Sequence, residues 1–266
     1  MDSNATSTSL SRDDAAEKIC VIYAAGEYYG DEPDAAHLPA HRLVVAADGG
    51  FDHACVLGVT PDIVIGDFDS TSYADVLRRS SGATVIPLPA EHDDPDMLSA
   101  MKIGWRHGAR NFHIFGGLGH RIDHSIANIQ MLSLLAQHNA VGFLYGNGYI
   151  TTAIRAGGLD FAARHHASGE MVSVFAYSDE VHDVYEKGLK YELNAATFNN
   201  TSVHGVSNEF LDGRKASIGV ADGTLIVTFP SCTPLPKRIS RLMPDKDGEA
   251  LGPLSTSISS ALAHPR

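Results

Sequence analysis

From Lys18 onward, short apolar runs alternate with glycine- and aspartate-containing breaks. Residues 19–24, 43–47, 63–65, 84–87, 112–115 and 141–145 are β-rich apolar runs and predict strands. Residues 51–57 predict a short helix that stops at Gly58. Residues 94–107 predict a second helix. Pro95 suits its first turn, where a missing N–H is tolerated, and Gly108 follows its end. The clearest helix covers 123–137, where Ile126, Ile129, Leu132 and Leu135 recur at helical spacing. Strands alternating with helices predict an α/β domain with a mostly parallel sheet over residues 18–148.

The pattern changes after Gly146-Asn147-Gly148, and Gly157-Gly158 reads as a break in the chain. Residues 171–177, 181–184 and 189–193 predict strands. Residues 216–220 and 224–229 alternate about Ala221-Asp222-Gly223, which suits a three-residue hairpin loop ending in a left-handed glycine. Residues 157–230 therefore predict an all-β sandwich. Residues 1–17 are polar and predict a disordered leader. Residues 231–266, rich in Pro and Ser and carrying Lys237, Arg238 and Arg241, predict a flexible tail.

Composition narrows the function classes. The 266 residues are 44% apolar, enough for a sizeable core. The formal net charge is -12 and no basic stripe appears, which argues against a nucleic-acid partner. Cys20, Cys55 and Cys232 are far apart and odd in number, as expected of isolated thiols in a reducing compartment. No apolar run approaches the roughly 18 residues that span a bilayer. The leader lacks the basic-then-apolar order of a signal peptide. A cytoplasmic protein without a membrane partner is expected.

The carboxylates carry the chemistry. Asp48 ends a strand run and precedes Gly49-Gly50; Asp67 and Asp69 end another, in Ile65-Gly66-Asp67-Phe68-Asp69-Ser70. Asp93, Asp94 and Asp96 cluster at a helix start. Asp123 follows the glycine-rich Gly116-Gly117-Leu118-Gly119-His120-Arg121-Ile122. In an open parallel sheet, ligands bind beyond the carboxyl ends of the strands, so these groups are placed to converge on one edge. Taken singly, Asp at a helix start is also a common N-cap, and Asp-Gly-Gly a common turn. At a strand end, Asp67 and Asp69 would point the same way. Two carboxylates about 4 Å apart repel by roughly 1–4 kcal/mol at effective dielectrics of about 80 to 20. A divalent cation with oxygen ligands relieves that, and magnesium bound by carboxylates plus substrate phosphates fits. Gly49-Gly50 and Gly116-Gly117 permit close backbone approach to a ligand. Arg121 offers a planar fork for phosphate oxygens. A GxxxxGK[ST] loop and a GxGxxG pattern are both absent. The pattern points to a metal and a polyphosphate.

These residues resemble the thiamine pyrophosphokinase family. The resemblance rests on Asp48-Gly49-Gly50 and on Gly58-Val59-Thr60-Pro61-Asp62 running on through Ser70. It also rests on Asp93-Asp94-Pro95-Asp96, on Gly116-Gly117 through Arg121-Ile122-Asp123-His124 and Asn128, on Gly188-Leu189-Lys190-Tyr191, and on Gly205-Val206-Ser207-Asn208-Glu209. It implies an N-terminal α/β domain, a C-terminal β-sandwich and a homodimer with thiamine bound between subunits. It further implies transfer of a pyrophosphoryl group from ATP to the hydroxyl of thiamine, with AMP leaving. The family's metal-binding carboxylates fall on Asp67, Asp69 and Asp96, with Asp93 close by; Asp96 or Asp93 would accept the thiamine proton. Asp48, Gly49, Gly50, Gly116, Gly117, Arg121, Asp123 and His124 fall at its nucleotide positions, and Ser207 and Asn208 at its thiamine positions. His92, Pro95, the Leu118-Gly119-His120 spacer and Glu192 depart from the family's usual residues.

Transfer to a related alcohol, such as a pterin or a thiamine analogue, is a neighbouring reading, against which the C-terminal motifs favour thiamine. Two other functions compete. The apolar strand followed by Asp67-Phe68-Asp69-Ser70-Thr71 is similar to the nucleophile motif of haloacid-dehalogenase-like phosphatases, in which Asp67 would be phosphorylated and Asp69 would protonate the leaving group. A non-catalytic sensor of thiamine or nucleotide is the other; so many carboxylates around an anionic ligand argue against it.

Overall fold

A computed structural model describes residues 18–30, 42–68, 73–79, 82–243, 247 and 250–258. The expected leader lies outside these. In the first half the elements are β1 (Ile19–Tyr23), β2 (Arg42–Ala47), α1 (Gly50–Val56), β3 (Ile63–Gly66), α2 (Tyr73–Arg79), β4 (Thr84–Pro87), α3 (Asp96–Arg106), β5 (Asn111–Phe115), α4 (Ile122–Gln137) and β6 (Val141–Gly146). The β-rich half contains β7 (Tyr149–Phe161), β8 (Met171–Ala176), β9 (Glu180–Lys187), β10 (Leu193–Asn199), β11 (Asn208–Glu209), β12 (Ala216–Pro230) and β13 (Lys237–Ser240).

The first six strands form a parallel sheet in the order β6-β5-β1-β2-β3-β4. The chain steps outward from β1 to β4, then returns to the far side of β1 as β5, so the strand order reverses between β1 and β5. The central strands are apolar throughout because both faces are covered. Along β1, Cys20 and Ile22 join a core with Met101 and Trp105 of α3 and Leu132 and Leu135 of α4. The alternate residues Val21 and Tyr23 join a second core that extends to Leu159, Val174 and Phe229 in the β-rich half. Trp105, read from sequence as a helix residue within the core, is 1% exposed.

Beyond β6 the sheet turns antiparallel. Asn147 and Gly148 both have positive φ, as a two-residue hairpin turn requires, and they join β6 to β7. The hydrogen-bonded path continues β7-β12-β9-β10, with β8 and β11 to one side. The result is one large mixed sheet with a β-rich C-terminal half.

Four sequence expectations need correction here. Gly157-Gly158 does not break the chain, since β7 runs through both. A Cβ on Gly157 would lie 2.2 Å from the Ile239 carbonyl oxygen, so the glycine admits β13 rather than ending a strand. Residues 221–223 are not a hairpin. The segments on either side both pair with β7 in one direction, and Val220↔Gly157 followed by Thr224↔Arg155 marks extra residues bulging from a single long strand. The strand expected over 189–193 lies at Leu193–Asn199, and Leu189 makes a lone bridge to Phe210. The expected loose tail is anchored where it is described: β13 pairs with β7, and Leu251 is buried in the core beneath α3. Its Pro and Ser content obscured both the strand pairing and the apolar anchor.

Candidate active site

A cavity of about 260 Å³ opens where β1 and β5 diverge, at the carboxyl ends of the parallel strands. Its floor is the chain leaving β1 (Ala24, Ala25, Gly26) and β2 (Ala47, Asp48). Gly116, Gly117 and Gly119 come from the loop after β5. The first turn of α3 supplies Pro95, Asp96 and Met97, and the start of α4 supplies Arg121, His124 and Asn128. Two helix N-termini therefore face one space, and their dipoles favour an anion there.

Local chemistry shapes this wall. Asp48 adopts φ 45, a left-handed conformation that Asp tolerates better than most residues. Its N–H donates to Ile65 O at 2.8 Å, which fixes the end of β2 against β3. Asp96 stands 3.6 Å from His92 Nε2, and His92 Nδ1 lies 2.8 Å from Pro89 O. Gly26 N donates to Gly116 O at 2.7 Å and Glu27 N to Leu118 O at 3.0 Å, joining the loops after β1 and β5. A Cβ on Gly26 would meet Gly116 O at 2.4 Å, so only glycine allows that junction. Buried Asn128 donates to Gly117 O at 2.6 Å and holds the same loop from below.

Arg121 and Asp123 form a two-pronged pair, Nη2 to Oδ2 at 2.5 Å and Nε to Oδ1 at 3.1 Å. The Arg121 hydrogen bond holds the Asp123 carboxyl below its ordinary range, and Asp123 in turn raises the guanidinium. Asp123 Oδ1 also accepts the His124 N–H at 3.0 Å. Asp123 thus orients Arg121 and does not itself line the cavity.

The expected residues are placed unevenly. Asp48, Asp96, Gly116, Gly117, Arg121 and His124 line the cavity; Gly49, Gly50 and Asp123 do not. A Cβ on Gly50 would stand 2.1 Å from Tyr23 O, so its close approach is to β1, not to a ligand. Asp67 lies just past β3 on the same sheet edge, beside Asp48 but outside the cavity lining. β3 stops at Gly66 and Phe68 has φ 57, so regular strand backbone ends before Asp67. Asp69 lies outside the described residues. Asp93 is off the lining, and Asp94 is bound to Lys102 Nζ at 2.5 Å, which removes it from the acidic group. Among the described residues, no three His, Cys, Asp or Glu side chains gather closely enough to hold a metal. Sequence reasoning missed Gly26 and His120; small residues directly after β1 were the available signal.

A second cavity of about 130 Å³ in the β-rich half is lined by Glu186, Tyr191, His204 and Asn208, among others. Asn208 donates to Glu186 Oε2 at 2.6 Å and to Tyr191 O at 2.7 Å, and accepts from the N–H groups of Tyr191 and Glu209. Its carboxamide is thus engaged by its own chain. Burial raises the Glu186 carboxyl above its ordinary range, against the lowering effect of Asn208. Ser207 is exposed beside this cavity, at φ 63.

Comparison with known proteins identifies the family. Residues 36–143 match the family described as thiamin pyrophosphokinase, catalytic domain. Residues 161–225 match thiamin pyrophosphokinase, vitamin B1 binding domain. Together the two cover more than half of the chain, in the expected order. The chain belongs to the thiamine pyrophosphokinase family. The match to the catalytic part contains the cavity residues from Ala47 to Asn128, and the match to the vitamin B1 binding part contains Glu186 and Asn208. The chain is 27% identical over 188 residues to the thiamine pyrophosphokinase of Bacillus subtilis (strain 168), covering 70% of this chain and 86% of that one. Two solved structures share the fold. The Bacillus subtilis enzyme superposes with a TM-score of 0.69 at 24% identity, over 82% of this chain and all of that one. The Candida albicans enzyme gives 0.69 at 14% identity, over 80% and 89%.

Proposed function

We propose that the chain transfers the pyrophosphoryl group of ATP to the hydroxyl of thiamine, giving thiamine diphosphate and AMP. The observation that carries this reading is the β1/β5 cavity, which combines two helix N-termini, the Arg121 fork and the carboxylates of Asp48 and Asp96. That combination suits a triphosphate. Phosphoryl transfer needs positioning and charge stabilisation more than covalent help. The thiamine oxygen forms a bond to the β-phosphorus, the bridge to the α-phosphorus breaks, and the hydroxyl proton passes to a carboxylate. That carboxylate is Asp96 or Asp93, of which Asp96 lines the cavity.

Magnesium fits these residues. It takes one or two carboxylates together with substrate phosphates and water, so it needs no all-protein cage. Asp96 and Asp67, with Asp69, would hold it. When bound, it neutralises charge on the triphosphate. We assign residues 18–148 to nucleotide and metal, and 157–230 to thiamine through a sandwich that carries Ser207, Asn208 and the Glu186 cavity. A homodimer that brings one subunit's thiamine site to the other's nucleotide site belongs to the same reading, as does a cytoplasmic setting. No helix among the described residues is long and apolar enough to cross a membrane.

The test is AMP release from ATP and magnesium, with and without thiamine, with the product identified by mass. AMP and thiamine diphosphate formed only when thiamine is present is the expected result. Phosphate released from simple esters would favour the phosphatase reading, and binding without AMP the sensor.

A further inference from the structure

The chain's C-terminal segment runs back along α3 towards the acidic loop that carries Asp96. Trp105 Nε1, near the end of the helix, donates to Asp247 O at 2.7 Å. One turn nearer the start, Lys102 Nζ donates to Pro253 O at 2.8 Å. At the loop itself, Ser255 Oγ accepts the Asp93 N–H at 3.1 Å, and Ser255 N–H donates to Asp94 Oδ2 at 3.3 Å. Leu251 fills the core between these contacts, 7% exposed. Lys102 joins all three parts, since the same ammonium holds Asp94 at 2.5 Å. Residues 250–258 and the loop 92–96 are therefore fastened at both a backbone and a side-chain level.

We propose that this segment is a strap that aims Asp96 at the nucleotide cavity, with Ser255 and Lys102 as positioning residues. The inference rests on the assignment of Asp96 to the nucleotide site. A loop ordered in advance gives up less conformational freedom when the triphosphate arrives, so the strap acts on ATP more than on thiamine. Thiamine's ring contacts are assigned to the other half of the chain, and only its hydroxyl approaches the loop that the strap holds.

The experiment measures kcat and both KM values for S255A, S255T, D96N and a chain ending at residue 249, with melting temperatures alongside. Loss of one hydrogen bond predicts that S255A raises the KM for ATP about fivefold. The KM for thiamine changes by less than about twofold and the melting temperature falls by only a few degrees, and S255T, which keeps the hydroxyl, restores the ATP value. The shortened chain shows the same selectivity with a larger effect; if it does not fold, the Ser255 pair decides. D96N impairs ATP use whether or not the strap matters. A D96N effect on ATP with no S255A effect overturns the strap, as does an equal S255A loss for both substrates. Normal ATP use by D96N instead overturns the assignment on which the strap rests.

Discussion

Replacing Lys102 by methionine isolates one buried charge. The Lys102 side chain is 8% exposed and its partner Asp94 14%, with 2.5 Å between Nζ and Oδ2. Methionine keeps the stem's packing but leaves Asp94 with no ammonium beside it. Breaking a buried pair from one side costs about 3–5 kcal/mol, and the residual exposure of Asp94 puts the expectation at about 3 kcal/mol. Asp94→Asn leaves the lysine charge buried in the same way and should cost about as much. The double variant K102M/D94N removes both charges, so it should cost well under the sum, by about 2 kcal/mol. For a chain of this size, about 3 kcal/mol corresponds to roughly 6–12 °C of melting temperature. Thermal unfolding of the four proteins at one pH and salt concentration measures the cycle. Single variants that each melt within a degree or two of the parent, or effects that simply add, would refute the reasoning.

Three further outcomes follow from the packing. His113 is buried on β5 beside the Tyr145 hydroxyl at 2.9 Å, and burial pushes its pKa down to about 4. The unfolded chain binds that proton first, so stability should fall as pH drops from about 6.5 through about 4, by about 3 kcal/mol in all, and His113→Gln should flatten that slope in urea titrations. Gly157→Ala places a Cβ 2.2 Å from Ile239 O, so β13 must shift; a cost of about 1–3 kcal/mol and faster hydrogen exchange in residues 237–240 are expected. Asn128→Ala leaves Gly117 O without its side-chain donor beneath the cavity, and should cost about 1–3 kcal/mol while raising the KM for ATP more than that for thiamine.

The parallel half was legible because its strands are buried on both faces, and continuous apolar runs such as residues 19–23 and 63–65 announce that. The β-rich half was less so. Gly157 and Gly223 look like stops in sequence, yet they serve strand crowding and a bulge, which depend on neighbours distant in the chain. The anchored tail was hidden for the same reason, since β13 is held by backbone pairing to β7 and Leu251 is a buried residue in a largely polar stretch. At the site, Asp48, Asp96, Gly116, Gly117, Arg121 and His124 could be read from motif and position. The division of labour among the acidic residues could not. Only folding shows that Asp94 belongs to Lys102 and Asp123 to Arg121, because each pairing joins a helix to the segment just before it, whose path the sequence leaves open.

The central claim is that the β1/β5 cavity is where the triphosphate binds. A crystal structure of the chain with magnesium, thiamine and a non-hydrolysable ATP analogue tests it most directly. Phosphates are expected against the N-termini of α3 and α4, within reach of Arg121 and the Asp96 carboxylate, and thiamine beside Glu186 and Asn208. A triphosphate seated elsewhere, with that cavity filled by water, would contradict it.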